Sequence, residues 1–361
     1  MKNITVIIGG QFGGEGKRKI TSYLAVRNNV DYVVRCGGPN SGHTVDYKGE
    51  RFILRLLPVG VINPKTRLLI AAGAIINPEL LFEEIKFCNL EPSRLGIDYN
   101  TGIISEKEIL EEKGSSLRER IGSTLSGMGR GVAKRVLRDK DFKQAKDIPE
   151  LRQFLTNVSE EINSGLEHDK SVLVEGTQGF GLSLYHSPYY PYTTSRDTTA
   201  GAFLSEVGIS PLAVKDVIMV IRTFPIRVGG NSGPLANEIS WEELQRRSGY
   251  PHLIQEFTSV TKRLRRVAKF DLELVKKAVV INKPTQVALL GTDYLDYRNK
   301  SLSNYQDLIK ETQEFIEYIE QEIKIKIMFI GTGPTNEELI DRRDAIKYRD
   351  YKAIEKINIL R

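Results

Sequence analysis

The chain has 361 residues, with 52 lysines and arginines against 46 aspartates and glutamates, for a formal net charge of +6. That length can bury the core of one large enzyme domain, and with 40% hydrophobic and 27% charged residues it excludes a collagenous, coiled-coil or disordered chain. No run approaches the roughly 18 apolar residues of a membrane helix and the start lacks a cleavage site, so a cytoplasmic location is expected. The surplus of cations admits nucleic acid, a membrane surface or anionic small substrates, and where those cations sit must decide.

In chain order, β-branched runs predict strands at residues 4–8, 31–35, 52–56, 67–71, 171–175, 217–223, 286–290 and 325–330. Solid hydrophobic runs such as VIIG, SVLVEG and KIMFIGTG imply burial on both faces. The expected fold is therefore α/β, a single large domain over residues 1–361 with a central mixed, mostly parallel sheet flanked by helices. Residues from about 102 to 169 read as a helical insertion, the polar part from 140 to 169 forming an appended layer. In such sheets ligands bind outside the carboxyl ends of the strands. The two cysteines, Cys36 and Cys88, form no CxxC pair and read as small buried hydrophobes.

The loop after the first strand runs Gly9-Gly10-Gln11-Phe12-Gly13-Gly14-Glu15-Gly16-Lys17-Arg18-Lys19. Glycines let backbone N–H groups approach an anion, a helix follows, and lysines add charge, so it is P-loop-like. It is not a Walker A motif: Gln11 stands where the first glycine belongs and Arg18 where the hydroxyl belongs. An ordinary tight turn has the same composition. The second loop, Arg35-Cys36-Gly37-Gly38-Pro39-Asn40-Ser41-Gly42-His43-Thr44, holds one of only four histidines, which could act as a general acid or stabilise charge on a phosphoryl oxygen. Later, Lys262, Arg263, Arg265, Arg266 and Lys269 crowd together with no intervening acid. Such a run suits a solvated face, a nucleic-acid patch or a clamp for carboxylates and phosphates.

These motifs, taken with EGTQG at 175–179, TSRDTTAG at 194–201, RTFPIRVGGNSGP at 222–234, TKRLRRVAKFD at 261–271 and GTGPT at 331–335, resemble the adenylosuccinate synthetase family nearly end to end. The resemblance implies a carbon–nitrogen ligase that joins aspartate to C6 of a purine monophosphate. The purine O6 is first phosphorylated by a nucleoside triphosphate, and the aspartate amine then displaces phosphate. It implies His43, Gln178 and Lys17 as catalytic residues. Gly14, Asn40, Thr124, Ser126, Arg135, Gln178, Thr198 and Arg227 would bind the monophosphate. Gly13, Glu15, Gly16, Lys17, Gly42, His43, Thr44, Arg265, Asp293, Gly331 and Gly333 would bind the triphosphate, and Thr261, Arg263 and Arg265 the aspartate. Mg²⁺ is the implied cofactor, with the Gly42 carbonyl as its ligand. A homodimer is implied, Arg135 reaching the partner's site, although Arg138 competes for that role. Neither a membrane nor nucleic acid is expected as a partner.

Three departures from the family pattern bear on the substrate. The family's aspartate, which contacts purine N1 and helps hold the metal, is Gly14 here. Its loss would open space for a 2-amino group, as in the viral branch of the family, the 2-aminoadenylosuccinate synthases, in which case the location is a host cytoplasm. The lysine that accompanies the family's guanine-reading aspartate is missing before Asp293, which makes ATP or dATP suitable donors beside GTP. Arg18 replaces the usual glycine, without explanation in the sequence. The expected reaction joins aspartate to dGMP or GMP and supplies 2-aminoadenine for DNA. The alternatives are ordinary adenylosuccinate synthetase, using IMP and GTP, or a pseudoenzyme or nucleic-acid-binding protein.

Overall fold

A computed structural model describes residues 3–47, 49–259 and 262–346. Ten strands form one sheet: β1 (Ile4–Gly9), β2 (Tyr32–Arg35), β3 (Arg67–Ile70), β4 (Leu95–Asp98), β5 (Leu155–Thr156), β6 (Val172–Glu175), β7 (Val214–Arg222), β8 (Gln286–Leu290), β9 (Ile327–Gly331) and β10 (Leu339–Asp341). Their spatial order is β10-β9-β8-β7-β1-β6-β2-β3-β4-β5. Every pairing is parallel except that of β10 with β9. This is the expected single α/β domain with a mostly parallel mixed sheet.

The two-residue period of the strands supplies two apolar faces. From β1, Ile4, Val6 and Ile8 join the core packed under the helices Val158–Glu167, Ala200–Val207, Leu272–Asn282 and Lys310–Ile323. Ile7 faces the other way, into the core with Ile20, Leu24 and Ala25 of helix α1 (Lys17–Arg27). Cys36 is buried and Cys88 partly so, both as free thiols. None of the described helices is long and apolar enough to cross a membrane.

Two expectations are corrected. The run at 52–56 belongs to a hairpin outside the main sheet, Glu50–Leu54 pairing antiparallel with His43–Tyr47, because its partner is the adjacent segment rather than a sheet edge. The segment 140–169 is more than an appended helical layer: it contributes β5 to the sheet and the buried Leu151 and Phe154 to a core.

Candidate functional site

Strand β1 sits between β6 and β7, so its loop faces the loops after β2, β6, β7 and β8 at the carboxyl edge of the sheet. Gly16 ends that loop at φ +93° and precedes α1 with no side-chain cap, which leaves the first N–H groups of the helix open to an anion. Gly13, at φ +90°, lies so close to Gln178 that a Cβ would come within 3.1 Å of its Cα. Glu15 organises the loop from inside. Its Oε1 accepts from the Gln11 and Gly13 amides (2.9 and 2.8 Å) and its Oε2 from Lys17 Nζ (2.9 Å). Lys17 also donates to the carbonyl of Gln178, which ties this loop to the one after β6.

Two cavities meet at this loop. One, of ≈ 580 Å³, runs past Gly16, Arg18, Lys19, Thr44, Glu256, Asp293 and Gly333. The other, of ≈ 370 Å³, is lined by Asn40, Thr124, Ser126, Gln178, the 193–195 stretch and Arg227. Each is large enough for a nucleotide. A smaller cavity carrying Gly13, Asn40, Thr124, Gln178, Arg227, Arg263 and Arg265 connects them. A constriction bounded by Gly14, Lys17, Arg18, Gly42, His43 and Arg265 lies at the junction.

His43 is buried there. Its Nδ1 lies 2.8 Å from Glu175 Oε1, which also accepts from Arg35 Nη1 at 2.7 Å. Burial and the Arg35 guanidinium push the imidazole down to about 3. Burial alone would raise Glu175, but His43 and Arg35 outweigh it and hold the carboxyl at about 2. At neutral pH the arrangement is therefore a carboxylate accepting from Nδ1–H of a neutral imidazole, with Nε2 left unprotonated.

Arg227 stacks over the rings of Phe12 and Tyr189 (4.7 and 5.3 Å) and donates to the Pro234 and Tyr192 carbonyls (2.5 and 2.7 Å), while its Nε stays without a partner. Thr124 and Ser126 hydroxyls lie 3.1 Å apart on the wall of the 370 Å³ cavity. Thr198 lies behind the wall, buried, its hydroxyl donating to the Gly179 carbonyl at 3.0 Å. Arg135 is away from the cavities and donates to the Ala72 carbonyl at 2.8 Å. Arg263 and Arg265 turn into the connecting cavity, and Arg266 pairs with Glu238 at 2.5 Å. Within the basic run, Arg263, Arg265 and Arg266 are half-buried and Arg265 and Arg266 face carboxylates, whereas Lys262 and Lys269 are exposed. Thr261 lies outside the described residues. Gly331 is beneath the 580 Å³ cavity, its carbonyl accepting from Thr292 (3.0 Å). The Asp293 carboxylate is engaged by the Tyr250 hydroxyl.

Several residues were not singled out from the sequence. Glu175 and Arg35 end neighbouring strands, and a carboxylate beside a guanidinium at that edge was the available signal. Arg222 pairs with Glu256 at 2.6 Å and holds the Gly14 carbonyl at 3.1 Å, although nothing local in the sequence marks either partner.

One expectation about the junction is revised. The Gly14 side-chain position is not open space. A Cβ there would lie 2.6 Å from Ile226 Cγ1 and 2.9 Å from Arg265 Nη1, so these two side chains occupy it. The Gly42 carbonyl, the expected magnesium ligand, accepts from Arg18 Nη1 at 3.3 Å. The carboxylates lining the 580 Å³ cavity are all engaged: Glu15 by the loop, Asp46 by Arg51 (2.7 Å), Glu256 by Arg222 and Asp293 by Tyr250. Among the described residues, no cluster of three metal-ligating side chains occurs. This donor set does not fit a protein-held Mg²⁺, which takes carboxylate oxygens.

The adenylosuccinate synthetase family model matches residues 6–143 and 139–300. The chain is 43% identical over 347 residues to the adenylosuccinate synthetase of Methanocaldococcus jannaschii, covering 95% of this chain and 97% of that one. It belongs to the adenylosuccinate synthetase family. It is also 40% identical over 341 residues to the adenylosuccinate synthetase of Archaeoglobus fulgidus, covering 94% and 98%. Among solved structures, the fully ligated adenylosuccinate synthetase of Plasmodium falciparum superposes with a TM-score of 0.83 at 22% identity, covering 94% of this chain and 100% of that one, a likeness of fold. The succinoaminodeoxyadenylate synthetase of cyanophage S-2L, bound to dGMP and dATP, superposes with a TM-score of 0.79 at 25% identity, covering 94% and 95%. As a family member the chain is a carbon–nitrogen ligase that uses aspartate and a nucleoside triphosphate. Its sequence identity is higher to these archaeal adenylosuccinate synthetases than to the viral enzyme.

Proposed function

We propose that the chain joins L-aspartate to C6 of IMP at the expense of a purine nucleoside triphosphate, the ordinary adenylosuccinate synthetase reaction. The observation that carries this reading is the filled position beside Gly14: with Ile226 and Arg265 there, loss of the family's aspartate gives no added room for a 2-amino group. Identity above 40% to an archaeal adenylosuccinate synthetase supports it.

In this reading the triphosphate lies in the 580 Å³ cavity, its phosphates against the open start of α1 and the amides of Gly13, Glu15 and Gly16, with Lys17, Gly42, Thr44, Asp293 and Gly333 around it. The monophosphate takes the 370 Å³ cavity, its phosphate near Asn40, Thr124 and Ser126, its base against Gln178, with Arg227 beside it. Arg263 and Arg265 receive the two carboxylates of aspartate in the connecting cavity. The terminal phosphoryl then crosses the constriction at His43 to purine O6, the nucleoside diphosphate leaves, and the N1 proton of IMP passes to water, since Gly14 offers no base. As the phosphoryl arrives, its negative charge favours a proton on Nε2, and the Glu175 carboxylate supports the imidazolium that results. The aspartate amine next attacks C6 and phosphate leaves. Any magnesium the reaction uses would arrive on the triphosphate's own oxygens. The Tyr250 bond to Asp293 loosens guanine reading, so ATP is a donor beside GTP. A homodimer in which Arg135 turns from Ala72 toward the partner's site is part of the proposal.

A second reading, with dGMP or GMP as acceptor and ATP or dATP as donor, is favoured by one observation: the likeness in structure to the cyanophage enzyme bound to dGMP and dATP. Phosphate release from IMP, GMP and dGMP, each with aspartate and either donor, separates the two.

A further inference from the structure

Arg18 projects from the first turn of α1 and lines both the 580 Å³ cavity and the constriction at His43. Its neighbours in the constriction are Lys17, Arg265 and His43. The other cations of the large cavity are occupied: Arg51 by Asp46, Arg222 by Glu256, Lys300 by Glu338 (3.6 Å), and Lys19 by the carbonyls of Gly333 and Glu338 (2.7 Å each). Arg265 has Glu256 at 3.9 Å. Among the described residues Arg18 has no carboxylate within 4 Å, and its hydrogen bond is the 3.3 Å contact to the Gly42 carbonyl. A guanidinium carries five N–H donors in a fixed fork. Burial and the nearby Arg265 push its pKa down to about 10, so it stays charged at neutral pH. The residue is half-buried and lines the cavity, so its remaining donors are open to a ligand there. The site is built for an anion that the protein does not supply.

We propose that Arg18 binds the terminal phosphate of the triphosphate and carries a fixed positive charge to the phosphoryl group at the junction, where the engaged carboxylates cannot hold a metal ion. The proposal rests on the triphosphate occupying the 580 Å³ cavity, as in the proposed function. A guanidinium fork matches two phosphoryl oxygens at once, and its charge needs no ligand shell of carboxylates. Because the charge is covalently fixed at the constriction, it stabilises the migrating phosphoryl group without first being assembled there. The Gly42 carbonyl orients the guanidinium and keeps it against the His43 loop.

The test is calorimetric binding of the β,γ-imido analogue of GTP to the full chain, once with Mg²⁺ and once with EDTA, alongside binding of IMP. For the unaltered chain the two triphosphate affinities should agree within about tenfold. Arg18→Met should weaken metal-free triphosphate binding by about tenfold or more, and Arg18→Lys by less, while IMP binding stays unchanged in both. The IMP measurement reports whether the altered chain is folded. Metal-free binding that is indifferent to Arg18→Met, or equal loss of both ligands in Arg18→Met and Arg18→Lys, overturns the proposal and leaves the proposed function standing. Absence of triphosphate binding to the unaltered chain under both conditions overturns both.

Discussion

His43 and Glu175 form one buried unit, Nδ1 to Oε1 at 2.8 Å, although one begins the hairpin strand His43–Tyr47 and the other ends β6. The unit fixes a pH dependence of stability. His43 is held near 3 against 6.5 when unfolded, so the unfolded chain takes up a proton first as the pH falls below about 6.5. Glu175, held near 2 against 4.5, adds a second loss between those values. The melting temperature should be flat just above pH 6.5, decline below it and steepen below about 4.5. His43→Asn should remove the first part of the decline. A profile identical to that of the unaltered chain between pH 6.5 and 4.5 would refute this assignment.

Glu15 is predicted to be the internal brace of the phosphate loop. Glu15→Ala frees the Gln11 and Gly13 amides and removes the carboxylate partner of Lys17. Triphosphate affinity should fall by about tenfold or more. Hydrogen exchange at the Gly13 amide should accelerate, and unaltered protection there would show that the brace is elsewhere.

The position of Gly14 has a steric consequence. Gly14→Asp must push Ile226 and Arg265 aside, and the overpacking should cost about 1–3 kcal/mol. In an Ile226→Ala background the same substitution should cost less, since two of the three atoms in the way are then gone. Equal melting temperatures for Gly14→Asp and the unaltered chain would mean that the loop yields freely.

Tyr250 is predicted to govern the donor base. Tyr250→Phe releases the Asp293 carboxylate, which can then pair with the N1–H and 2-amino groups of guanine. The preference for GTP over ATP in KM should rise by about tenfold. An unchanged ratio would mean that Asp293 does not face the base.

The fold was largely legible because the central strands are solid apolar runs, and β1, β2, β3, β6, β7 and β8 lie where those runs predict. The strand Leu95–Asp98 was missed because Gly96 and Asp98 interrupt its pattern, and the one at Leu155–Thr156 because two residues carry no period. At the site, the glycine-rich loops and the basic run were readable, since their composition is their function. The fillers were not. A glycine at position 14 says that a side chain is gone, but Ile226 and Arg265 enter its place from distant segments. Likewise, Arg35 and Glu175 meet 140 positions apart through the pairing of β2 with β6, which no local pattern reveals.

The most direct test of the central claim is phosphate release by the purified chain with aspartate, each of IMP, GMP and dGMP, and either GTP or ATP. Efficient release with IMP, accompanied by the aspartate adduct at C6, is the predicted result. Release with dGMP or GMP but not IMP would contradict the IMP assignment in favour of the guanine acceptor, and no release with any acceptor would contradict the ligase chemistry itself.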